Sequence, residues 1–177
     1  SELFKDQPVS RFMRRDPVTV PPSISIDEWL DEYVYQHHFK MYPVVDGSNL
    51  LGCISVDAIK GLPRAERAKK KVGELLQPCS AANTISADMS TTRLLADIVH
   101  PGTPSRYMVV DKGQLVGMIS LKDLLELISL KLEIDSDGGG DGGQDIHADH
   151  RVIDRDALSR DAGPFDDKRD ADAAFEG

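Results

Sequence analysis

The strongest constraint on this chain is that it writes one stretch twice. Residues 41–58, MYPVVDGSNLLGCISVDA, return 65 positions later as residues 106–123, RYMVVDKGQLVGMISLKD. Between Tyr42 and Ser55 eight of fourteen positions are identical to their counterparts: Tyr42/Tyr107, Val44/Val109, Val45/Val110, Asp46/Asp111, Leu50/Leu115, Gly52/Gly117, Ile54/Ile119 and Ser55/Ser120. Ordinary residue frequencies would give about one such match by chance. A unit repeated at fixed spacing is expected to fold twice. Each unit of about sixty residues is small for independent stability, so the two should share an interface.

The elements follow from local pattern. Val9, Phe12 and Met13 recur at helical spacing, Val18–Val20 alternates as a short strand, and Ser25-Ile-Asp-Glu28 is a capping box that should open a helix over about 26–39. Two strands are expected at Tyr42–Val45 and Leu50–Ile54 around an Asp-Gly turn, then a second helix over Val56–Lys60. The second copy repeats the order: a helical turn at Val72–Leu76, a short strand at Thr84 and Ile85, a helix from Ser90 to His100, and strands at Tyr107–Val110 and Leu115–Ile119. Its last helix is the clearest, with Leu121, Leu124, Leu125, Ile128 and Leu132 on one face.

The expected organisation is a leader over 1–8, a first repeat over 9–62, a basic connector over 63–71, a second repeat over 72–133 and an acidic tail over 134–177. The connector RAERAKKK lacks interleaved aromatics and reads as a solvated link. The tail, opening on Asp-Gly-Gly-Gly-Asp-Gly-Gly, has too few large apolar residues to offset the entropy of ordering and is expected to be disordered.

The net charge of -9 belongs wholly to residues 133–177, with 14 acidic and 5 basic residues, and the rest balances at 16 of each. A neutral body with an acidic tail argues against nucleic acid as the partner. No apolar run approaches the ~20 residues of a membrane span, so no direct membrane insertion is expected. Cys53 and Cys79 do not make a disulfide framework, and reduced thiols point to the cytoplasm. The chain opens on Ser1 rather than methionine, as a trimmed chain or the end of a longer protein would.

Catalytic patterns are lacking: no nucleophile elbow, phosphate-cradling glycine loop or His-Glu-x-x-His occurs. His37 and His38 are adjacent and so face different directions on a helix, which favours packing over metal binding. His147 and His150 have helical spacing but lie in the acidic tail. The remaining constellation ends the repeated stretch, where a strand delivers Ser120 to a helix start with Asp123 three residues on. One reading is a helix cap with an acid in the first turn. The other uses the same geometry as a site: free N–H groups and a hydroxyl for a phosphate, a carboxylate for ribose hydroxyls, and Arg106 as a charge-assisted phosphate contact.

These residues carry a resemblance. Two copies of a helical turn, short strand and helix, then Tyr-x-Val-Val-Asp and Gly-x-Ile-Ser before another helix, resemble a tandem pair of cystathionine-β-synthase (CBS) domains, a Bateman module, over about residues 9–130. The resemblance implies an α/β (α+β) fold of two β-α-β-β-α repeats packed about a pseudo-two-fold, with two clefts and frequent homodimers. It also implies a non-catalytic regulatory module that senses an adenine nucleotide (AMP, ADP or ATP) and controls an attached or associated effector protein. In the second repeat Arg106, Ser120 and Asp123 match the family's nucleotide pattern, Met108 stands where that pattern usually has proline, and the resemblance implies that Asn83, Thr84, Tyr107 and Met108 line the base. The first repeat, with Thr19, Tyr42, Pro43, Ser55 and Ala58, lacks the aspartate and is expected to be a degenerate site. A structural dimerisation module without ligand is the alternative. The stretch DEYVYQHHFKMYPVVDG, with LGCIS and IKGLPRAER, is also similar to the CBS pair following the membrane region of bacterial site-2-type (M50) zinc metalloproteases.

Overall fold

A computed structural model of the chain describes residues 2–139. The repeated stretches form two hairpins of matching design. Strand β2 (Met41–Asp46) pairs antiparallel with β3 (Asn49–Ser55), and β6 (Arg106–Asp111) pairs likewise with β7 (Gln114–Ser120). Both carry a register irregularity at the same place, Val44/Val45 and Val109/Val110. Their two-residue turns differ in chemistry. Gly47 alone is left-handed in the first (φ 64), whereas both Lys112 (φ 51) and Gly113 (φ 79) are in the second. Such turns match the right-handed twist of the strands.

The leading segment of each repeat does not stay with its own hairpin. Strand β1 (Arg14–Arg15) pairs antiparallel with β7, placing Arg15 opposite Gly117. Strand β4 (Gln77–Pro78) pairs antiparallel with β3, placing Pro78 opposite Gly52. The four-stranded sheet therefore runs β1-β7-β6-β5, where β5 is Thr84–Ser86 and parallel to β6; the three-stranded sheet runs β2-β3-β4. This exchange explains the repeated glycine. A Cβ on Gly117 would lie 2.6 Å from the Arg14 carbonyl oxygen, and one on Gly52 would lie 2.0 Å from that of Gln77.

The cores record the same exchange. Phe4, Val9 and Met13 are buried with Leu94, Ile98, Tyr107, Val109, Ile119 and Leu124 of the second repeat. Val72 is buried with Val20, Ile26, Trp29, Tyr42 and Ile54 of the first. Between the sheets Cys53, Met108 and Met118 pack with Met41, Leu50 and Leu115, a contact of adaptable sulfur-bearing side chains.

The capping box forms as its sequence suggests. Ser25 Oγ accepts from Glu28 N at 3.1 Å, and Ser25 N donates to the Glu28 carboxylate at 3.0 Å. The helix expected over 26–39 is divided into α1 (Ile26–Trp29), a wider π turn at Leu30–Val34 and α2 (Tyr35–His37), closed by left-handed His38 at φ 67. The expected strand at 18–20 reduces to one bridge, Val20 to Val44, because Pro17 and Pro21 flank it and offer no N–H to a ladder. The helix expected at Val56–Lys60 is a 3₁₀ turn, Val56–Ile59.

Connector residues bind the first helix: the carbonyls of Lys70 and Arg67 accept from Ile26 N and Asp27 N. Helices α3 (Val72–Leu75) and α4 (Thr91–Ile98) follow. Helix α5 (Leu121–Gly139) runs past the expected end, through residues read from composition as the start of a linker. A Lys131–Asp135 ion pair at i,i+4 supports that extension. The remainder of the tail, with His147 and His150, lies outside the described residues. Among these residues no helix is long and apolar enough to cross a membrane.

Candidate functional site

The end of β7 delivers Ser120 to the start of α5, where its hydroxyl accepts from Asp123 N at 3.1 Å. The capping reading is thus realised. It leaves the Asp123 carboxylate free to act elsewhere, and Arg14 from the exchanged strand takes it in a forked contact. Arg14 Nε donates to Oδ2 at 3.0 Å and Nη2 to Oδ1 at 3.1 Å. The Asp123 side chain is 17% exposed and that of Arg14 73%. The hydrogen bond to Asp123, and then its charge, raise the Arg14 pKa.

Arg106 enters β6 directly opposite Ser120 in the hairpin register. Its guanidinium lies over the Phe39 ring at 5.9 Å, and the residue is half-buried. Burial pushes its pKa down, opposed by Asp123 and Tyr42 and reinforced by Arg14. Arginine remains charged under all ordinary conditions, so Arg106 is a fixed partly buried cation. Phe39 is itself held in place. Its N–H donates to the Tyr42 hydroxyl at 3.1 Å, which donates to the Tyr33 carbonyl at 3.1 Å, and burial raises the Tyr42 pKa.

These groups line one cleft of about 580 Å³, within the size range of small-molecule sites. Its walls are residues 14–18 of the exchanged segment, residues 37–41 and Pro43 of the first repeat, and Arg106, Met118–Ser120, Lys122 and Asp123 of the second. Five of the lining residues are Lys or Arg (Arg14, Arg15, Lys40, Arg106, Lys122) against two aspartates, Asp16 and Asp123. The cleft is therefore suited to an anion with hydroxyl groups.

The structure brings Arg106, Ser120 and Asp123 together, and keeps Asn83, Thr84, Tyr107 and Met108 away from this cleft. Tyr107 alternates into the second core. Met108 pairs with Thr84 in the parallel β5–β6 ladder and packs between the sheets. Asn83 is a local clasp: its side chain donates to the Pro78 carbonyl at 3.1 Å and accepts from Thr84 Oγ1 at 2.7 Å. The reason is the exchange. The wall facing Ser120 and Asp123 comes from residues 14–18 at the start of the first repeat, whereas residues 83–84 pass near Cys53, which contacts Asn83 at 3.6 Å.

In the first repeat Tyr42 is buried and Thr19 exposed. Ser55 forms no side-chain cap, Ala58 packs on the first core, and neighbouring Asp57 pairs with Lys60 at 2.7 Å. Pro43, assigned from sequence to the first site, lines the cleft of the second. Arg14, Arg15, Asp16, Phe39, Lys40 and Lys122 are cleft residues that sequence reasoning did not single out. The repeated glycine was the available signal, since it marks where a foreign backbone crosses. His37 and His38 sit on the cleft wall, and among the described residues no group of three or more His, Cys, Asp or Glu is placed to hold a metal.

Comparison with known proteins bears on the whole described region. The CBS domain family model matches twice, over residues 9–62 and 72–130. The chain is 30% identical over 128 residues to the zinc metalloprotease MJ0392 of Methanocaldococcus jannaschii, covering 72% of this chain and 34% of that protein. It thus spans about a third of the length of that relative. The fold is that of the CBS domain of a bacterial CNNM/CorC family Mg2+ transporter in complex with ATP (TM-score 0.58, 19% identity, 70% of this chain and 87% of that one). It is also that of CbpB in complex with c-di-AMP (TM-score 0.63, 19% identity, 77% and 94%).

Proposed function

Because the chain belongs to the CBS-domain family, as a tandem pair of such domains, we propose that it senses an adenine nucleotide in the cleft between Arg14, Arg106, Ser120 and Asp123. CBS domains are regulatory modules rather than catalysts, so the output is a change of packing passed to an attached or associated protein. The observation that carries this reading is a small-molecule-sized cleft combining an excess of cations with Ser120 and Asp123 at one helix start. Lys and Arg attract phosphates, and the carboxylate accepts ribose hydroxyls. The first repeat lacks an acid at Ala58, which supports one site per chain.

Isothermal titration of the chain with AMP, ADP, ATP and c-di-AMP tests the reading. One adenine nucleotide should bind at one site per chain, and Asp123→Ala should abolish or severely weaken that binding. At a hundred times the dissociation constant the ligand adds ~2.7 kcal/mol of stability, visible as a melting shift. Heat from none of the four overturns it.

On the likeness to MJ0392, the regulated protein is a zinc metalloprotease on which this pair forms a cytosolic domain. Copies of the chain pair through the far part of α5, where Leu130, Leu132 and Ile134 are exposed at 54%, 62% and 68%. Sedimentation of wild type and a Leu130→Ser/Ile134→Ser variant tests the pairing: dimer in the first and monomer in the second is expected.

A further inference from the structure

We propose that Arg14 makes this cleft selective for phosphorylated ligands, by holding Asp123 until an anion in the cleft draws the guanidinium away. The inference rests on the reading of the cleft as a nucleotide site.

Both carboxylate oxygens of Asp123 are engaged by Arg14, at 3.0 and 3.1 Å. A ligand hydroxyl seeking that carboxylate competes with a forked, charge-assisted pair. The two partners differ in freedom. Asp123 is fixed on the first turn of α5 and largely shielded. Arg14 has its backbone tied to β7 opposite Met118, but its side chain is 73% exposed and can swing without moving the strand. Arg106, another cation of the cleft, is packed over Phe39.

An uncharged nucleoside therefore breaks the pair and offers the guanidinium nothing in return. A ligand bearing phosphate offers it a new bidentate acceptor, so the loss at Asp123 is offset within the same cleft. Arg14 thereby discriminates against ligands that have the hydroxyls without the anion. The surrounding charges agree with such a handover: Arg15 and Lys122 share the cleft, so freed Arg14 has cations beside it and moves toward an incoming anion.

Titrations with AMP and adenosine test this on wild type, Arg14→Gln and Arg14→Lys, each first checked for a cooperative melt. In Arg14→Gln, adenosine should bind about threefold more tightly and AMP about threefold more weakly, so their affinity ratio falls about tenfold. Arg14→Lys keeps charge without the fork and should give an intermediate ratio, which also decides the matter if the glutamine variant does not fold. An unchanged AMP-to-adenosine ratio in Arg14→Gln and Arg14→Lys overturns the inference while the nucleotide reading stands. Wild type that binds neither AMP nor adenosine also overturns the inference, and the nucleotide reading falls with it only when ADP, ATP and c-di-AMP give no heat either.

Discussion

At the scale of single residues, the cleft depends on side chains too small or too buried to draw notice. Gly117 permits the Arg14 backbone to cross β7, and an added methyl would meet a carbonyl oxygen at 2.6 Å and the Met13 sulfur at 2.7 Å. Gly117→Ala should therefore cost about 1–3 kcal/mol in urea unfolding. It should also weaken nucleotide binding, because it displaces Arg14. Cys53 offers a pH prediction. Burial, then the charge of Cys79, pushes its thiol up to about 12 from 9.0. A raised folded-state pKa means the folded protein holds the proton more tightly, so stability is intact below pH 9 and falls as pH rises toward 12. Unfolding midpoints at pH 8 and 10 should show that fall, and Cys53→Ala should reduce it.

The pairing of Ser120 and Asp123 in the candidate site was legible because their spacing, strand end to first helical turn, is local. Arg14 was not, since its partner lies 109 residues away and reaches it only through strand exchange. For the same reason Asn83 and Thr84, read from the sequence as partners of Ser120 and Asp123, lie instead beside Cys53 of the other hairpin.

At the scale of elements, sequence reading succeeds where one pattern decides the structure alone. Both hairpins follow from alternation and a turn signal, and the first helix begins where its capping box says. Ser25→Ala should lower stability by about 1 kcal/mol in chemical denaturation, because it leaves Glu28 N without its acceptor. Reading fails where two patterns compete. Composition places a linker at Asp135, yet α5 continues to Gly139, because a helix already nucleated adds each residue at little cost. The π turn at Leu30–Val34 left no mark in a pattern that fits an unbroken helix equally well.

For the molecule as a whole, the exchange of leaders makes the two repeats interdependent. Phe4, Val9 and Met13 are buried in the second core though they lie before or at the start of the first repeat. A fragment over residues 63–139 therefore lacks part of its core and the edge strand β1. It should show no cooperative thermal transition by circular dichroism, while the full chain shows one. A fragment that melts cooperatively at the temperature of the full chain would contradict this interdependence.

The crossing of Arg14–Arg15 onto β7, answered by Gln77–Pro78 on β3, also bears on how such a chain could have arisen. One unit alone could not complete its own sheet in this arrangement, but two separate copies could, each lending its leader to the other. The tandem chain is in that sense a dimer made covalent. In the joined chain the copy with Ala58 can act as the scaffold of the copy with Asp123, which two identical units could not do.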